Sequence, residues 1–349
     1  MDFKKELINW YSINKRELPW RETKNPYFIW LSEIILQQTQ VKQGLPYYMA
    51  FVKEYPTVFD LANASEESVL KLWQGLGYYS RARNLHTTAK HIAFTLKGQF
   101  PNNYKDLLKL KGVGDYTASA IASIAFNEVA AVVDGNVYRV LSRYFGIDTP
   151  INSTAGIKEF KTLASTLIDT KQPATYNQAI MEFGAKQCKP KNPDCTICPI
   201  KNGCVALQKN LVDSLPVKLK KTKVTTKYFN FLVCVDNNNN ILFEKRQNKG
   251  IWQNLYQFPL VESEKSLEID EFHLLNLENT VLKSADFQHS LYNEIDKIHK
   301  LSHQHLHTKF WIVEIDKLPK TAIPINKLEK YPTPVLISDF IDEFNFSGL

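Results

Sequence analysis

Long apolar runs are absent from this chain of 349 residues. A membrane-spanning helix needs about 18 or more apolar residues in succession, so we expect no membrane span. Residues 1–7 (MDFKKEL) lack the apolar stretch of a secretory signal, so we expect the protein to remain in the reducing cytoplasm. Cysteine is also scarce, with five in the chain, and in that compartment clustered cysteines indicate a metal site rather than disulfides.

Positive charge is unevenly distributed along the chain. Residues 1–227 contain 31 Lys and Arg against 19 Asp and Glu, whereas residues 228–349 contain 12 against 17. The basic first part suits a polyanion such as nucleic acid, although many cytosolic domains are basic without binding one. The change of sign, like the length of the chain, predicts two domains.

Hydrophobic periodicity in the first part is helical. Apolar residues recur at helical spacing in residues 7–11, 29–36, 69–73 and 118–126. Residues 218–227 then contain five lysines and almost no apolar periodicity, which suits a linker. We therefore predict a mainly α domain at residues 1–210 and a linker at residues 211–227.

The pattern changes to that of strands beyond the linker. β-Rich runs at 228–235 and 241–246 flank the asparagine-rich turn 236–240, which predicts a hairpin. Residues 309–315 predict a further strand. We therefore predict a second, strand-containing domain at residues 228–349.

Four of the five cysteines lie close together, with the spacing C-x6-C-x2-C-x5-C. They are Cys188, Cys195, Cys198 and Cys204. Reduced thiolates bind soft metals, and a short loop can fold around them. The spacing alone leaves structural zinc and an iron–sulfur cluster as alternatives. The remaining cysteine, Cys234, lies in an apolar run, so we expect a buried side chain rather than a ligand.

A glycine-rich turn joins two predicted helices at Lys111, Gly112 and Gly114. Glycine permits a tight turn, and backbone N–H groups at the start of the second helix can then bind a phosphate. A helix-hairpin-helix holds the DNA backbone in this way without reading the bases. The alternative is an ordinary helical hairpin that needs glycine only for its geometry.

These motifs together resemble a known superfamily. The hairpin, residues 132–137 (VVDGNV) and the four-cysteine loop resemble the helix-hairpin-helix glycosylases, which include endonuclease III. Residues 18–21 (LPWR), 32–41 (SEIILQQTQV) and 75–81 (GLGYYSR) resemble, within it, the MutY-type adenine DNA glycosylases. The resemblance is strong over residues 1–210 and weak beyond them. It implies that the four thiolates hold a 4Fe–4S cluster; Lys111 departs from the pattern, since relatives commonly have proline there.

Two carboxylates are the candidate catalytic groups. Cleavage of an N-glycosidic bond needs an acid that protonates the leaving base and an anion that stabilises the oxocarbenium-like sugar. Glu33 lies in an apolar helical stretch, where burial would raise its pKa, and Asp134 follows two valines at a predicted helix start. Taken alone, they could be a surface charge and a helix cap. The resemblance implies that Glu33 is the catalytic acid and Asp134 the stabilising carboxylate.

Tyr116 stands at the position where endonuclease III has a lysine. That lysine attacks the sugar carbon, forms a Schiff base and leads to strand nicking, and a tyrosine cannot form the imine. The resemblance therefore implies a monofunctional glycosylase that leaves an abasic site. An endonuclease III-like glycosylase-lyase and a non-catalytic iron–sulfur DNA-binding protein are the alternatives.

The resemblance also implies which residues contact the displaced adenine and the opened duplex. Adenine must be flipped out of the stack before its bond to the sugar can be reached. Gln38, Leu76 and Tyr78 would fill or wedge the vacated stack, although the last two could simply pack a loop. The residues expected to line the adenine pocket are Arg21 and Glu182, with Asn136 assisting the stabilising carboxylate.

Residues 250–259 faintly resemble the Nudix fold, which MutY-type proteins use to inspect the base opposite adenine. A Nudix hydrolase needs an Arg-Glu-x-x-Glu-Glu box that holds magnesium. The chain has no arginine after Arg246, so we expect recognition and not hydrolysis. Ser302 and His303 fall on the family's loop that senses 8-oxoguanine, with Leu301 in place of phenylalanine. A metal site on the alternating histidines 303, 305 and 307 is not expected, because no acidic or cysteine ligand neighbours them.

The predicted function is excision of adenine opposite 8-oxoguanine or guanine in base excision repair. The predicted fold is a mainly α helix-hairpin-helix glycosylase domain with an iron–sulfur loop, followed by an α+β Nudix-like domain. The expected partner is double-stranded DNA that contains the mispair. We expect a monomer, located in the cytoplasm and associated with the nucleoid through DNA.

Overall fold

The computed structural model describes residues 2–219 and 224–346. The α-helices in these ranges are α1 (Phe3–Asn14), α2 (Pro26–Ile35), α3 (Val41–Glu54), α4 (Val58–Asn63), α5 (Glu66–Leu72), α6 (Ser80–Lys90), α7 (Tyr104–Leu107), α8 (Asp115–Phe126), α9 (Gly135–Phe145), α10 (Thr154–Leu167), α11 (Pro173–Lys186), α12 (Val205–Gln208) and α13 (Val335–Glu343). The β-strands are β1 (Thr225–Asp236), β2 (Asn240–Ile241), β3 (Glu244–Lys245), β4 (Tyr256–Gln257), β5 (Leu260–Ser263), β6 (Phe287–Leu291), β7 (Lys297–Lys300), β8 (Gln304–Ile315) and β9 (Ile323–Pro324). None of the helices described is long and apolar enough to cross a membrane.

The chain forms two compact units. One comprises Met1–Asn63 with Asn84–Lys220, and the other comprises Ala64–Arg83 with Lys221–Leu349. The helical first part and the strand-containing last part agree with the predicted fold class. The sequence pattern did not indicate that residues 64–83 pack with the strands. Within the predicted linker 211–227, residues 220–223 lie outside the described residues.

Helix α8 lies against three other helices of the helical unit, α2, α7 and α11. Its segment 117–124 is buried and consists mainly of alanine, serine and isoleucine, so neighbouring helices can approach it closely. Trp30 on α2 and Phe183 on α11 are fully buried, and removal of such large apolar surfaces from water stabilises the unit. Helix α9 also packs on α11, so the start of α9 is held near the α2–α8 pair.

The second unit contains a mixed seven-stranded sheet with the order β6-β8-β1-β2-β9; β5 also pairs with β1, and β7 with β8. The long central strands β1 and β8 are parallel over their whole lengths, from Thr225 opposite Gln304 to Asp236 opposite Ile315. Strand β2 pairs antiparallel with β1 across the predicted turn 236–240, so the predicted hairpin is confirmed. The sheet sets the end of β7 and the start of β8 side by side, with residues 301–303 as their connection.

Both faces of the sheet are covered by apolar side chains. On one face Phe340 of α13 stacks on Phe310 of β8, with ring centroids 4.2 Å apart and an interplanar angle of 8°. On the other face Cys234 and Trp311 belong to a buried cluster that includes Phe272. Cys234 is fully buried, which confirms the prediction that it is a core side chain.

Candidate active site

Six predicted residues lie in the same cavity of the helical unit, which measures 180 Å³. They are Arg21, Glu33, Tyr116, Asp134, Asn136 and Glu182. Arg21 lies in the short turn Pro19–Arg21 before α2, and the other five come from α2, from α8, from the start of α9 and from α11. The cavity therefore brings the predicted acid, the predicted stabilising carboxylate and the predicted adenine pocket together.

Glu33 is a buried carboxyl group on α2, with 8% of the residue exposed. Burial raises its pKa to about 7, and the negative charge of Asp134 adds to the rise. A hydrogen bond from Tyr116 and the positive charge of Arg21 oppose it without cancelling it. The group can therefore hold a proton near neutral pH, as a general acid must.

Asp134 is the N-cap of α9. Its Oδ1 accepts hydrogen bonds from the backbone N–H groups of Asn136 and Val137, at 2.9 and 2.8 Å. Its Oδ2 accepts one from Asn136 Nδ2 at 2.7 Å. Burial raises the pKa of Asp134, and these hydrogen bonds oppose the rise because they favour the ionised form. The two readings of this residue, helix cap and site carboxylate, are therefore compatible.

Tyr116 lies in the first turn of α8, between Glu33 and α11. Its hydroxyl shares a hydrogen bond with Glu33 and lies 3.3 Å from Met181 Sδ. Burial and the neighbouring carboxylates raise its pKa well above the ordinary value, so the hydroxyl stays protonated. A protonated phenol can donate to a carboxylate, and it offers no amine for attack on a sugar.

Glu182 on α11 is almost fully buried and is bound by two arginines. Arg16 donates from Nε to Oε1 at 2.7 Å and from Nη2 to Oε2 at 2.6 Å, and Arg21 donates to Oε2 at 2.8 Å. Burial alone would raise the pKa of Glu182, but these bonds outweigh it and hold the pKa at about 2. Sequence reasoning missed Arg16, although it stands five residues before Arg21 and beside the LPWR motif.

A second arginine that the sequence did not single out connects the site to the cysteine loop. Arg139 of α9 donates from Nη2 to Asn136 Oδ1 at 2.9 Å and from Nε to the carbonyl of Cys188 at 2.7 Å. The amide of Asn136 is thereby fixed in orientation, since its Nδ2 binds Asp134. Arg139 follows Asn136 by three residues on the same helix, so the two side chains lie on one face. That spacing is the sequence signal that would have indicated Arg139.

The four cysteines of the predicted metal loop line one common cavity with apolar neighbours that include Ile200 and Leu207. Arg143 Nη1 lies 3.5 Å from Cys188 Sγ and also donates to the carbonyl of Lys189 at 2.7 Å. Burial raises the pKa of the Cys198 thiol to about 11, and the neighbouring sulfurs add to the rise. Four soft donors that line one cavity fit a metal group that would compensate their charge. In the ranges that the structure covers, no three His, Cys, Asp or Glu side chains are arranged around a single ion.

The predicted helix-hairpin-helix turn at residues 111–114 lies between α7 and α8 and does not line the 180 Å³ cavity. Gly112 has a φ of +80°, and a Cβ there would come within 2.8 Å of Asn84 Cβ, so both the backbone and the space require glycine. Gly114 is the N-cap of α8 and supplies no side-chain cap, while Lys111 beside it is exposed. The start of α8 is therefore open to an external acceptor.

The predicted wedge residues differ in exposure. Gln38 follows the end of α2 with a φ of +56° and is exposed. In the second unit, Gly75, Gly77 and Tyr78 all have positive φ, and Tyr78 is 49% exposed. Leu76 between them is buried. Of the side chains in this strained turn, Tyr78 is the one already presented to solvent.

Ser302 and His303 line a cleft of 610 Å³ that lies wholly in the second unit. Leu76 and Tyr78 line the same cleft, as does Trp252. Trp252 has a φ of +60° and packs against His299 with ring centroids 5.7 Å apart. The structure thus brings two predicted wedge residues and the two predicted 8-oxoguanine residues to one cleft.

Comparison with known proteins gives the site a context. The family model described as HhH-GPD superfamily base excision DNA repair protein matches residues 31–163, and the NUDIX domain model matches residues 230–343. Over 313 residues the chain is 38% identical to the adenine DNA glycosylase of Buchnera aphidicola subsp. Baizongia pistaciae (strain Bp), covering 89% of this chain and 86% of that relative. The chain belongs to the adenine DNA glycosylase family.

Solved structures resemble a part of this chain. A thermostable thymine-DNA glycosylase is 31% identical with a TM-score of 0.55, covering 59% of this chain and 95% of its own. An endonuclease III in a non-covalent DNA complex is 22% identical with a TM-score of 0.52, covering 60% of this chain and 94% of its own, and shares the fold. The adenine DNA glycosylase therefore combines an endonuclease III-like helical fold with a Nudix-like domain.

Proposed function

We propose that this adenine DNA glycosylase removes adenine mispaired with 8-oxoguanine or guanine by acid-assisted hydrolysis and leaves an abasic site. The observation that carries the proposal is the position of Glu33. A buried carboxyl group with a pKa of about 7 lies in the same cavity as Asp134 and beside Tyr116, where a lyase needs an amine.

Glu33 supplies the proton in the proposed reaction. The proton passes to a ring nitrogen of the flipped adenine, so that the N-glycosidic bond breaks with its electron pair on the base. Asp134 stabilises the cationic sugar that results, and its bonds to Asn136 and Val137 favour the ionised carboxylate and hold it in place. Water then adds to the anomeric carbon and loses a proton to solvent.

Arg21 and Glu182 are proposed to hold the adenine, with Arg16 as a further member of that group. Both carboxylate oxygens of Glu182 accept from arginines, which fixes the planes of the guanidinium groups in the cavity. Adenine offers ring acceptors and an exocyclic donor, so a rigid set of ionised groups can select it. The strongly ionised state of Glu182 makes it unsuitable as the acid, which leaves that role to Glu33.

We propose a 4Fe–4S cluster as the group held by Cys188, Cys195, Cys198 and Cys204. Their four sulfurs are soft donors of the kind that hold such a cluster, and they line one cavity. When bound, the cluster would hold the loop of residues 188–204 in a fixed conformation. That loop carries Lys189, Lys191 and Lys201, whose charges suit DNA phosphates.

DNA contacts are proposed at the hairpin and at the wedge residues. The open N-terminus of α8 behind Gly112 and Gly114 suits one phosphate of the backbone, and Lys111 adds a positive charge beside it. Gln38, Leu76 and Tyr78 are proposed to occupy the gap that the flipped nucleotide leaves. Ser302 and His303 are proposed to recognise the oxidised base, supported by their place in the cleft that Tyr78 lines.

We also propose the bounds of the domains, the oligomeric state and the location of the enzyme. Residues 1–210 form the catalytic domain, residues 211–227 the linker and residues 228–349 the recognition domain, to which residues 64–83 contribute packing. The enzyme is proposed to act as a monomer in the cytoplasm, on double-stranded DNA that contains the mispair.

A single-turnover assay tests the function. Duplexes with adenine opposite 8-oxoguanine, guanine or thymine should be cut in that order of decreasing rate, and borohydride should trap little protein on DNA. Replacement of Tyr116→Lys should raise trapping and strand nicking, because it places an amine beside the sugar carbon. Strong trapping by the unmodified enzyme would support an endonuclease III-like lyase instead.

A further inference from the structure

The segment that carries Asp134 into the cavity has no helix or strand of its own. Residues 128–133 connect the end of α8 to Asp134, the N-cap of α9. Within the segment, the backbone N–H of Ala130 donates to the carbonyl of Glu128 at 2.8 Å, near its start. The position of the carboxylate therefore also depends on what holds the residues after Ala130 from outside.

Asn177 of α11 holds two residues of this segment. The side chain is almost fully buried. Its Oδ1 accepts from the backbone N–H of Val132 at 3.3 Å, and its Nδ2 donates to the carbonyl of Ala130 at 2.8 Å. The same Nδ2 donates to Ser123 Oγ on α8 at 2.9 Å. Asn177 thus joins the segment to α8, which lines the cavity through Tyr116.

Lys161 of α10 holds the residue between those two. Its Nζ donates to the carbonyl of Ala131 at 2.8 Å, to Asp115 Oδ2 at 2.9 Å and to Ser119 Oγ at 3.0 Å. All three donor positions of the ammonium group are used. Asp115 is the first residue of α8 and the neighbour of Tyr116. Lys161 therefore bridges the backbone before Asp134 and the turn that carries the partner of Glu33.

We propose that Lys161 and Asn177 are positioning residues that set the distance from Asp134 to the Glu33–Tyr116 pair. The proposal rests on the proposed function, because it assigns their effect to stabilisation of the sugar cation by Asp134. Neither side chain lines the cavity, so neither is placed to touch a base or sugar bound in it. Side chains behind a site affect a reaction by holding in place the groups that contact the substrate.

Replacement of Lys161→Met tests the proposal, because methionine keeps most of the length and loses all three donors. We expect the single-turnover rate to fall about tenfold, the effect of one lost bond to a charged group. A duplex with a cationic pyrrolidine in place of the target sugar should bind about tenfold more weakly, since it mimics the charged transition state. A duplex with an uncleavable 2′-fluoro-adenosine, which is neutral at that sugar, should bind as tightly as before.

Matched variants separate positioning from general effects. Lys158→Met removes an exposed lysine of the same helix and should change neither the rate nor either affinity. Lys161→Arg keeps donors and should recover most of the rate, while Asn177→Leu should repeat the selective loss of the cationic duplex. Equal weakening of both duplexes, or an unchanged rate for Lys161→Met, overturns the proposal. A wild-type enzyme that shows no preference for the cationic duplex contradicts the proposed function instead.

Discussion

Arg16 and Glu182 form a two-point ion pair, with Arg16 Nε and Nη2 each within 2.7 Å of a different carboxylate oxygen. Arg16 also binds Oε1 through its backbone N–H at 3.0 Å. The partners are 166 residues apart in the chain, so this contact fastens the segment before α2 to α11. A planar fork that binds both oxygens is a geometry that lysine cannot reproduce.

Replacement of Arg16→Leu should therefore weaken the adenine pocket. Glu182 would lose its strongest partner, its pKa would rise from about 2, and the carboxylate that binds Arg21 would be held by one arginine instead of two. We expect cleavage at low DNA concentration to fall about 10- to 150-fold, the equivalent of roughly 1.5–3 kcal/mol. Arg16→Lys should recover little of this, and Lys15→Leu, which removes an exposed neighbouring charge, should change little. Full recovery by lysine would mean that charge alone matters there.

Replacement of Glu33→Gln should reduce the single-turnover rate at least about 100-fold while mispair binding persists, because the shape remains and the acidic proton is lost. The pH dependence has a definite sign. Since the pKa of Glu33 is raised to about 7 and the protonated form is active, the wild-type rate should be full below that pH and fall as pH rises through it. Glu54→Gln, at an exposed position, is the matched control. A rate that increases across this range would remove Glu33 from the role of acid.

Protein prepared without air should contain about four irons per chain and be yellow-brown. Replacement of Cys198→Ser should lower the iron content and weaken DNA binding, because the lysines of the loop would lose their fixed positions. Cys234→Ala should retain the iron, since that thiol lies in the core of the sheet domain. Elemental analysis that finds zinc in equal amount to protein, and no iron, would replace the cluster with a structural zinc site.

Joint replacement of Ser302 and His303 by alanine should reduce the preference for 8-oxoguanine over guanine. A hydrogen bond to the group that distinguishes the two bases is worth roughly 1–3 kcal/mol, or about 5- to 150-fold in discrimination. The rate opposite guanine should change far less, so the ratio of the two rates is the measurement. Alanines at His289 and Ser290, an exposed pair on β6, provide the matched control. An unchanged ratio would move recognition to another surface.

The residues that the sequence could indicate are those whose chemistry is local. Glu33 stands in a recognisable motif, Asp134 begins a helix, and the cysteines lie within one short loop, so short-range patterns together with the family resemblance selected them. Arg16, Lys161 and Asn177 escaped notice because their importance depends on partners far along the chain. Two of them bind backbone carbonyl groups, which every residue type offers, so no pattern of side chains marks the contact.

The elements of the fold also divide into those that local patterns predict and those that depend on distant contacts. Helices with clear periodicity and the hairpin at 236–240 were predictable, because their spacing and turn residues are local signals. The association of residues 64–83 with the sheet was not, since it depends on long-range contacts such as Gln74 with Ser338 and Tyr79 with the carbonyl of Thr333. Such pairs are formed by ordinary polar side chains that carry no distinguishing spacing.

The pairing of Glu67 with Lys245 and Tyr256 has a consequence for synthesis of the protein. Lys245 follows Glu67 by 178 residues, so α5 leaves the ribosome long before its partners exist. At ordinary elongation speeds the interval is about 10–35 s. During that time residues 64–83 lack the strands of their unit, and we expect Leu70 and Leu76, both buried in the folded protein, to be more exposed to other nascent chains. Translation arrested within β1–β3 should therefore yield an aggregation-prone intermediate whose helical unit is already folded.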